Sequence, residues 1–190
     1  MSGEIADAEQ TELIYAALTS WGMHRMGPGG SKMRSFEEFK DSVTFVRNDI
    51  ENLREVSPRG LTSSNWSALE RVFKEIRVMA SGTTIVGNSK VMAHLLPNLV
   101  APIDREYTLK YLFGHGMFPN DLNREWNLMR KIHEEFYFPI ADAHDFQEEA
   151  RRWMNPRSGY SWDTSILKTI DNVVIGARRR QLTRKTANPG

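Results

Sequence analysis

Cysteine is absent from the 190 residues. That excludes disulfides, cysteine-ligated zinc, iron–sulfur clusters, thiol nucleophiles and CxxC redox chemistry, and leaves no sign of an oxidising compartment. Long apolar runs are missing as well: no stretch reaches the roughly 18 uncharged apolar residues of a membrane span. The opening residues Met1 to Asp7 lack the basic and apolar regions of a secretory signal. The expectation is a cytoplasmic chain with no membrane partner. The histidines, at 24, 94, 115, 133 and 144, show no HExxH or comparable spacing, so neither a metal nor a cofactor is expected. Walker loops, GxSxG elbows and dinucleotide fingerprints are lacking too, since Gly27-Pro28-Gly29-Gly30 has no strand before it.

An excess of one charge sign is also lacking, with 25 Lys and Arg against 24 Asp and Glu for a net charge of +1. The balance hides an asymmetry. Arg178, Arg179, Arg180, Arg184 and Lys185 fall in the last 13 residues with no acid among them, and removing those five charges leaves −4 for residues 1–177. A terminal basic cluster suits a polyanion, although such tails are commonly just solvated. The chain therefore reads as one domain over residues 1–177 followed by a basic tail over 178–190, at a length that buries a core unaided.

Apolar residues recur at helical spacing nearly throughout. Leu13, Ile14, Ala17, Leu18 and Trp21 fit a helix from about residue 5 to 21, broken by a Gly-rich loop over 22–32. Ser35 followed by Glu38 is a capping box, with Phe36, Phe39, Val43, Val46, Ile50 and Leu53 as the stripe behind it. Trp66, Leu69, Val72, Phe73, Ile76 and Met79 predict a third helix ending before Gly82. Shorter helices follow at about 89–96, 104–113, 121–136, 142–154 and 162–176. The strand-like scraps, 83–86 and 173–175, are short enough to belong to a turn or a helix. The class is all-α, a single globular array of about eight helices, expected to be monomeric.

The densest stretch runs from Ile85 to Tyr107. Gly87 permits a tight turn, Asn88 or Ser89 caps the next helix, and a helix opening there offers free backbone N–H groups to a phosphate. Lys90 then falls in the first turn, where its charge opposes the helix macrodipole by a few tenths of a kcal/mol, roughly. A solvated lysine is the plain alternative; the functional one is an amine nucleophile. Asp104, after Pro102 and Ile103, suits an N-cap, and a carboxylate held there can also face a developing positive charge.

Gly87, Lys90 and the Pro102-Ile103-Asp104 run resemble the helix-hairpin-helix DNA glycosylase superfamily, in particular its 8-oxoguanine-type lyase branch, over residues 82–112. The hairpin here would be Thr83 to Gly87, with one glycine and no proline, and 14 residues separate Lys90 from Asp104. The resemblance implies a helix-hairpin-helix-like element, with Lys90 as the Schiff-base amine, Asp104 as the carboxylate and Gly87 as the last hairpin glycine. The implied partner is double-stranded DNA carrying a modified base, an oxidised purine or a bulky base such as foreign DNA carries. That base would be flipped out and cut at its glycosidic bond without a metal.

Backbone contacts would come from Gly87, Asn88, Ser89 and Arg105, and from His24, Arg25, Lys32 and Arg34 around the Gly-rich loop. Candidate walls for a flipped base are Trp21 with His24 at the Gly-rich loop, Tyr137 and Phe138 before Pro139, and Trp153 or Trp162 late in the chain; the aromatics are also ordinary core material. His133-Glu134-Glu135 reads as a charged solvent face, as do Asp142, Asp145, Glu148 and Glu149 with Arg151 and Arg152. The competing reading is a non-catalytic helical module that binds nucleic acid or protein through the basic tail and the Gly-rich loop.

Overall fold

The structure, a computed structural model, describes residues 2–187 except 25, 28–29, 81–83, 119, 156–158 and 160–162. It is all-helical apart from a two-residue antiparallel ladder, Met26–Gly27 with Gly30–Ser31. The order is α1 (Ser2–Ser20), α2 (Phe36–Phe45), α3 (Arg47–Leu53), α4 (Ser63–Glu75), α5 (Thr84–Leu95), α6 (Lys110–Phe113), α7 (Leu122–Ile132), α8 (Phe138–Asp142), α9 (His144–Trp153) and α10 (Ile166–Ala187). No helix among the described residues is long and apolar enough to cross a membrane.

Local chemistry explains most of the boundaries. At α2 the Ser35 side chain accepts from the Glu38 amide while Glu38 accepts from the Ser35 amide, the expected capping box. At α4 the cap is Thr62, paired reciprocally with Asn65. That helix stops at Glu75, short of the expected end. Residues 76–80 instead run extended beside the chain after the Gly-rich loop: the Arg34 amide donates to Val78 O at 3.0 Å and the Ala80 amide to Lys32 O at 2.8 Å. Met79 therefore ends in a bridge opposite Met33 rather than on a helical stripe.

The run expected at 121–136 continues instead to Asp142 through Pro139. A proline inside a helix removes an i→i−4 bond and crowds the preceding turn. Here the turn His133–Tyr137 widens to a π-helix just before it, which accommodates the ring. The final helix likewise outruns its expected end at 176 and carries Arg178, Arg179 and Arg180 as part of α10, so the basic cluster is no free tail up to Ala187.

The core is continuous through these elements. Leu18, Phe39, Leu53, Leu69, Phe73, Ile85, Met92, Leu96, Ile103, Leu109 and Tyr137 are all less than 2% exposed. Full burial of such side chains stabilises by about 1.5–3 kcal/mol each. Helix α5 packs on α1, α4 and α7, while α10 packs on α8, α9 and the 105–109 turn. The segment 96–104 is tied to α5 through Ser89 and to the 133–137 turn through His133 and Tyr137.

Candidate functional site

Helix α5 begins one turn earlier than the sequence implies. Residues 84–87, expected as a hairpin turn, are its first turn, and the Ile85 amide donates to Glu125 Oε2 of α7 at 2.6 Å. Glu125 is 1% exposed. Burial raises its carboxyl pKa, opposed by hydrogen bonds from the Ile85 and Thr84 amides. The amides of Asn88 and Ser89, expected free at a helix start, lie inside α5, and at the start that is present a side chain of the protein takes the Ile85 amide.

Gly87 serves close approach rather than a turn: a Cβ there would lie 2.5 Å from Met79 Cγ and 2.9 Å from Val78 Cγ1. Asn88 and Ser89, expected as caps facing DNA, are fully buried. The Asn88 amide nitrogen donates to Phe73 O at 2.7 Å and Ile76 O at 2.9 Å, tying down the end of α4. Ser89 Oγ accepts from the Ile103 amide at 3.0 Å. Gly87 thus serves packing, and the buried side chains of Asn88 and Ser89 hold the scaffold.

The next residue reaches the site. Lys90 Nζ lies 3.2 Å from Asp104 Oδ2, with the two side chains 14% and 33% exposed. Asp104 is the N-cap its position predicts: Oδ1 accepts from the amides of Glu106 at 2.8 Å and Tyr107 at 3.3 Å, opening the π turn Arg105–Leu109. Its carboxylate is therefore fixed on one oxygen by the backbone and on the other by the amine.

The approach to Asp104 is pinned residue by residue. The Ala101 amide donates to His133 Nε2 at 2.9 Å, Pro102 O accepts from the Tyr137 hydroxyl at 3.4 Å, and Ile103 is held by Ser89. His133 was expected on a solvent face, yet it is 2% exposed, while Glu134 and Glu135 beside it are exposed. Its Nδ1–H donates to Met129 O at 2.8 Å, and burial pushes its pKa down to about 4, so the ring is neutral. Tyr137 and Phe138, expected as pocket walls, are core instead. Tyr137 has no exposed surface, and Phe138 packs against the rings of Trp66 and His133 at 6.2 and 5.6 Å.

Trp21 does reach the amine. Its ring centroid is 5.6 Å from Lys90 Nζ, and 51% of the residue is exposed. His94, one turn after Lys90 on the same face of α5, lies with its ring 5.7 Å from that of Trp21. Partial burial, then the charge of Lys168, lowers the His94 pKa. A second pair sits behind the first: Lys168 Nζ is 2.6 Å from Asp171 Oδ2, and Asp171 is 3% exposed. Burial raises the Asp171 pKa; Lys168 lowers it, the charge of Asp104 raises it further and that of Lys90 lowers it.

His94, Lys168 and Asp171 were missed in the sequence. The i+4 spacing of His94 from Lys90 was the available signal for the first, and nothing local marks the other two.

Around this cluster, Arg105 is exposed. Arg178 is 13% exposed and reaches Glu106, with Nη2 3.5 Å from Oε1 and Nε donating to its carbonyl at 3.3 Å. The Arg179 guanidinium lies 5.7 Å from the Tyr107 ring. At the Gly-rich loop His24 and Lys32 are exposed; His24 Nδ1 is 2.6 Å from Thr19 O, and Arg34 pairs with Glu38 at 2.8 Å. Arg25 and Trp162 lie outside the described residues. Trp153 lines a separate cavity of about 470 Å³ with Asp163, Asn172 and Arg180.

No family model, curated protein or solved structure matches the chain. Its chemistry therefore rests on the cluster itself: an amine and a carboxylate in contact, half-shielded from water, beside an exposed indole.

Proposed function

We propose that this chain is a DNA glycosylase that releases a modified base, with abasic-site lyase activity supplied by Lys90. The observation that carries this reading is the 3.2 Å contact between Lys90 Nζ and Asp104 Oδ2 at a helix cap, the two residues to which the resemblance gives the amine and carboxylate roles. The exposed ring of Trp21, with His94 beside it, offers a face on which an extruded base can stack.

In base release the C1′–N bond breaks and its electron pair leaves with the base, while the ionised Asp104 carboxylate faces the oxocarbenium charge left on the sugar. Water addition at C1′ completes hydrolysis. In the lyase branch Lys90 first passes a proton to Asp104 Oδ2 across their existing contact, and the free amine bonds to C1′ in place of water. An N–H proton then moves to O4′ as the C1′–O4′ bond opens, leaving a protonated imine, and loss of a C2′ proton expels the 3′-phosphate by β-elimination. Lys168, itself partly exposed, balances the charge of the buried Asp171 behind Lys90 and Asp104. Exposed Arg105, Arg179 and Arg180 are available to phosphates.

Borohydride trapping on abasic-site duplex tests the reading. Wild type is expected to form a covalent adduct that Lys90→Ala loses, and Asp104→Asn is expected to abolish base release from modified duplexes while binding is retained. A second reading, a non-catalytic nucleic-acid module, draws on the exposed arginines of α10. It predicts instead that both variants match wild type and that only loss of residues 178–190 weakens binding and flattens its salt dependence. Absence of both trapping and base release in wild type would overturn the enzyme.

A further inference from the structure

The cavity of about 470 Å³ beside Trp153 lies on the face of α10 turned away from Asp171, and its size suits a small molecule. One wall is the half-buried indole of Trp153; the other is α10, which brings Asn172, Gly176 and Arg180 to it on successive turns. Gly176 sits in the middle of this 22-residue helix. Glycine there costs stability relative to alanine, and the fold gains nothing from it: its φ is not positive, and a Cβ would meet nothing within 4 Å. At Gly87 the missing Cβ lets another segment approach, whereas at Gly176 it leaves open space above the helix.

The same cavity is lined by Asp163, which is only 9% exposed. Asn172 Nδ2 donates to its Oδ1 at 2.5 Å, and among the described residues no other group bonds to either side chain. No lysine or arginine among those residues pairs with Asp163, which sets it apart from the buried Asp171 with its Lys168. A carboxylate taken out of water is costly unless a cation meets it. Asp163 Oδ2 and the Asn172 side-chain oxygen remain as two acceptors of one hydrogen-bonded pair. Eight residues and about 12 Å along α10 from Asn172, Arg180 is exposed and also without an ion pair among the described residues.

We propose that this cavity binds free L-arginine. The acceptors of Asp163 and Asn172 call for a cation that donates more than one hydrogen bond, and a flat guanidinium does so while lying on the face of Trp153. A lysine ammonium has no such face and is more strongly hydrated. The carboxylate of the ligand meets the guanidinium of Arg180. The separation of Asn172 from Arg180 requires a cation and an anion at opposite ends of a chain, not on one carbon, so the cation is that of a long side chain. Its methylene stem passes over Gly176, where any side chain would stand in the way. The site uses neither Lys90 nor Asp104 and goes beyond the glycosylase reading.

Calorimetric titration of the full-length protein with L-arginine tests the site. Wild type is expected to bind it saturably and to ignore L-citrulline, which keeps the shape without the charge. Gly176→Leu is expected to abolish binding; added atoms have room there, so folding is not threatened, and the melting temperature checks this. Asp163→Asn is expected to weaken binding by about tenfold or more. Arg180→Gln is expected to weaken L-arginine severalfold and to leave agmatine, which lacks the carboxylate, unchanged. No binding by wild type at millimolar L-arginine, equal binding of L-citrulline, or unchanged L-arginine affinity in any of the three variants overturns the proposal. Equal affinity for N-acetyl-L-arginine amide would assign the guanidinium to a peptide and overturn the free amino acid as ligand.

Discussion

Acid is expected to loosen the segment that presents Asp104, and His133 sets where. Its neutral ring donates through Nδ1 to Met129 O and accepts through Nε2 from the Ala101 amide, with 2% of the residue exposed. A proton on Nε2 would set one donor against another in a buried site. Burial lowers the pKa from 6.5 to about 4. Between those values the unfolded chain holds more protons than the folded one, so stability falls as pH falls. The gap corresponds to about 3 kcal/mol of stability that is present above about pH 7 and is lost progressively as pH falls through 6.5 toward 4.

Glu125 and Asp171 act with the opposite sign, because burial raises their pKa values and their contribution is lost as pH rises. Wild type alone therefore reports a mixture. Urea unfolding of wild type and His133→Gln across that range isolates the histidine, since glutamine offers a donor and an acceptor without titrating. The stability of wild type relative to the variant is expected to shrink by about 2.5 kcal/mol between about pH 7 and about pH 4.5. A difference that stays constant with pH would refute the latch.

Two further substitutions test the scaffold around Lys90. Gly87→Ala gains about 1 kcal/mol of helix propensity. It forces Met79 and Val78 away from a Cβ at 2.5 and 2.9 Å, and we expect a net loss of about 1–2 kcal/mol seen as a lower melting temperature. A higher one would contradict the packing described. Glu125→Ala strips the acceptor from the Ile85 amide and is expected to cost about 1–3 kcal/mol in denaturant unfolding. Glu125→Gln keeps an acceptor oxygen and should cost less; equal losses would show that the cap is not what matters.

What could be read from the sequence was chemistry carried by neighbours along the chain. The Ser35–Glu38 capping box and the Asp104 cap are local devices whose partners lie within three residues, and both are present. Lys90 and Asp104 stand out only through a motif, and their contact was not legible, because it joins two segments 14 residues apart. The helix around Gly87 was not legible, because glycine signals a turn more often than a close approach, and here its need comes from Met79 and Val78 on another segment. His133 was misread because Glu134 and Glu135 are exposed, whereas successive helical residues point about 100° apart. The last helix was expected to end at 176, yet Arg178 and Arg179 beyond it meet Glu106 and Tyr107 on a turn distant in sequence.

Helix α10 shows two different faces. Asp171 is buried on the side of the Lys90–Asp104 pair, whereas Arg180, nine residues and about 14 Å farther on, lies about 180° around the helix, with Thr169, Asn172 and Val173 on the cavity beside Trp153. One rod thus serves as a wall shared by two chambers, and a shift of the helix that opens one of them must press on the other.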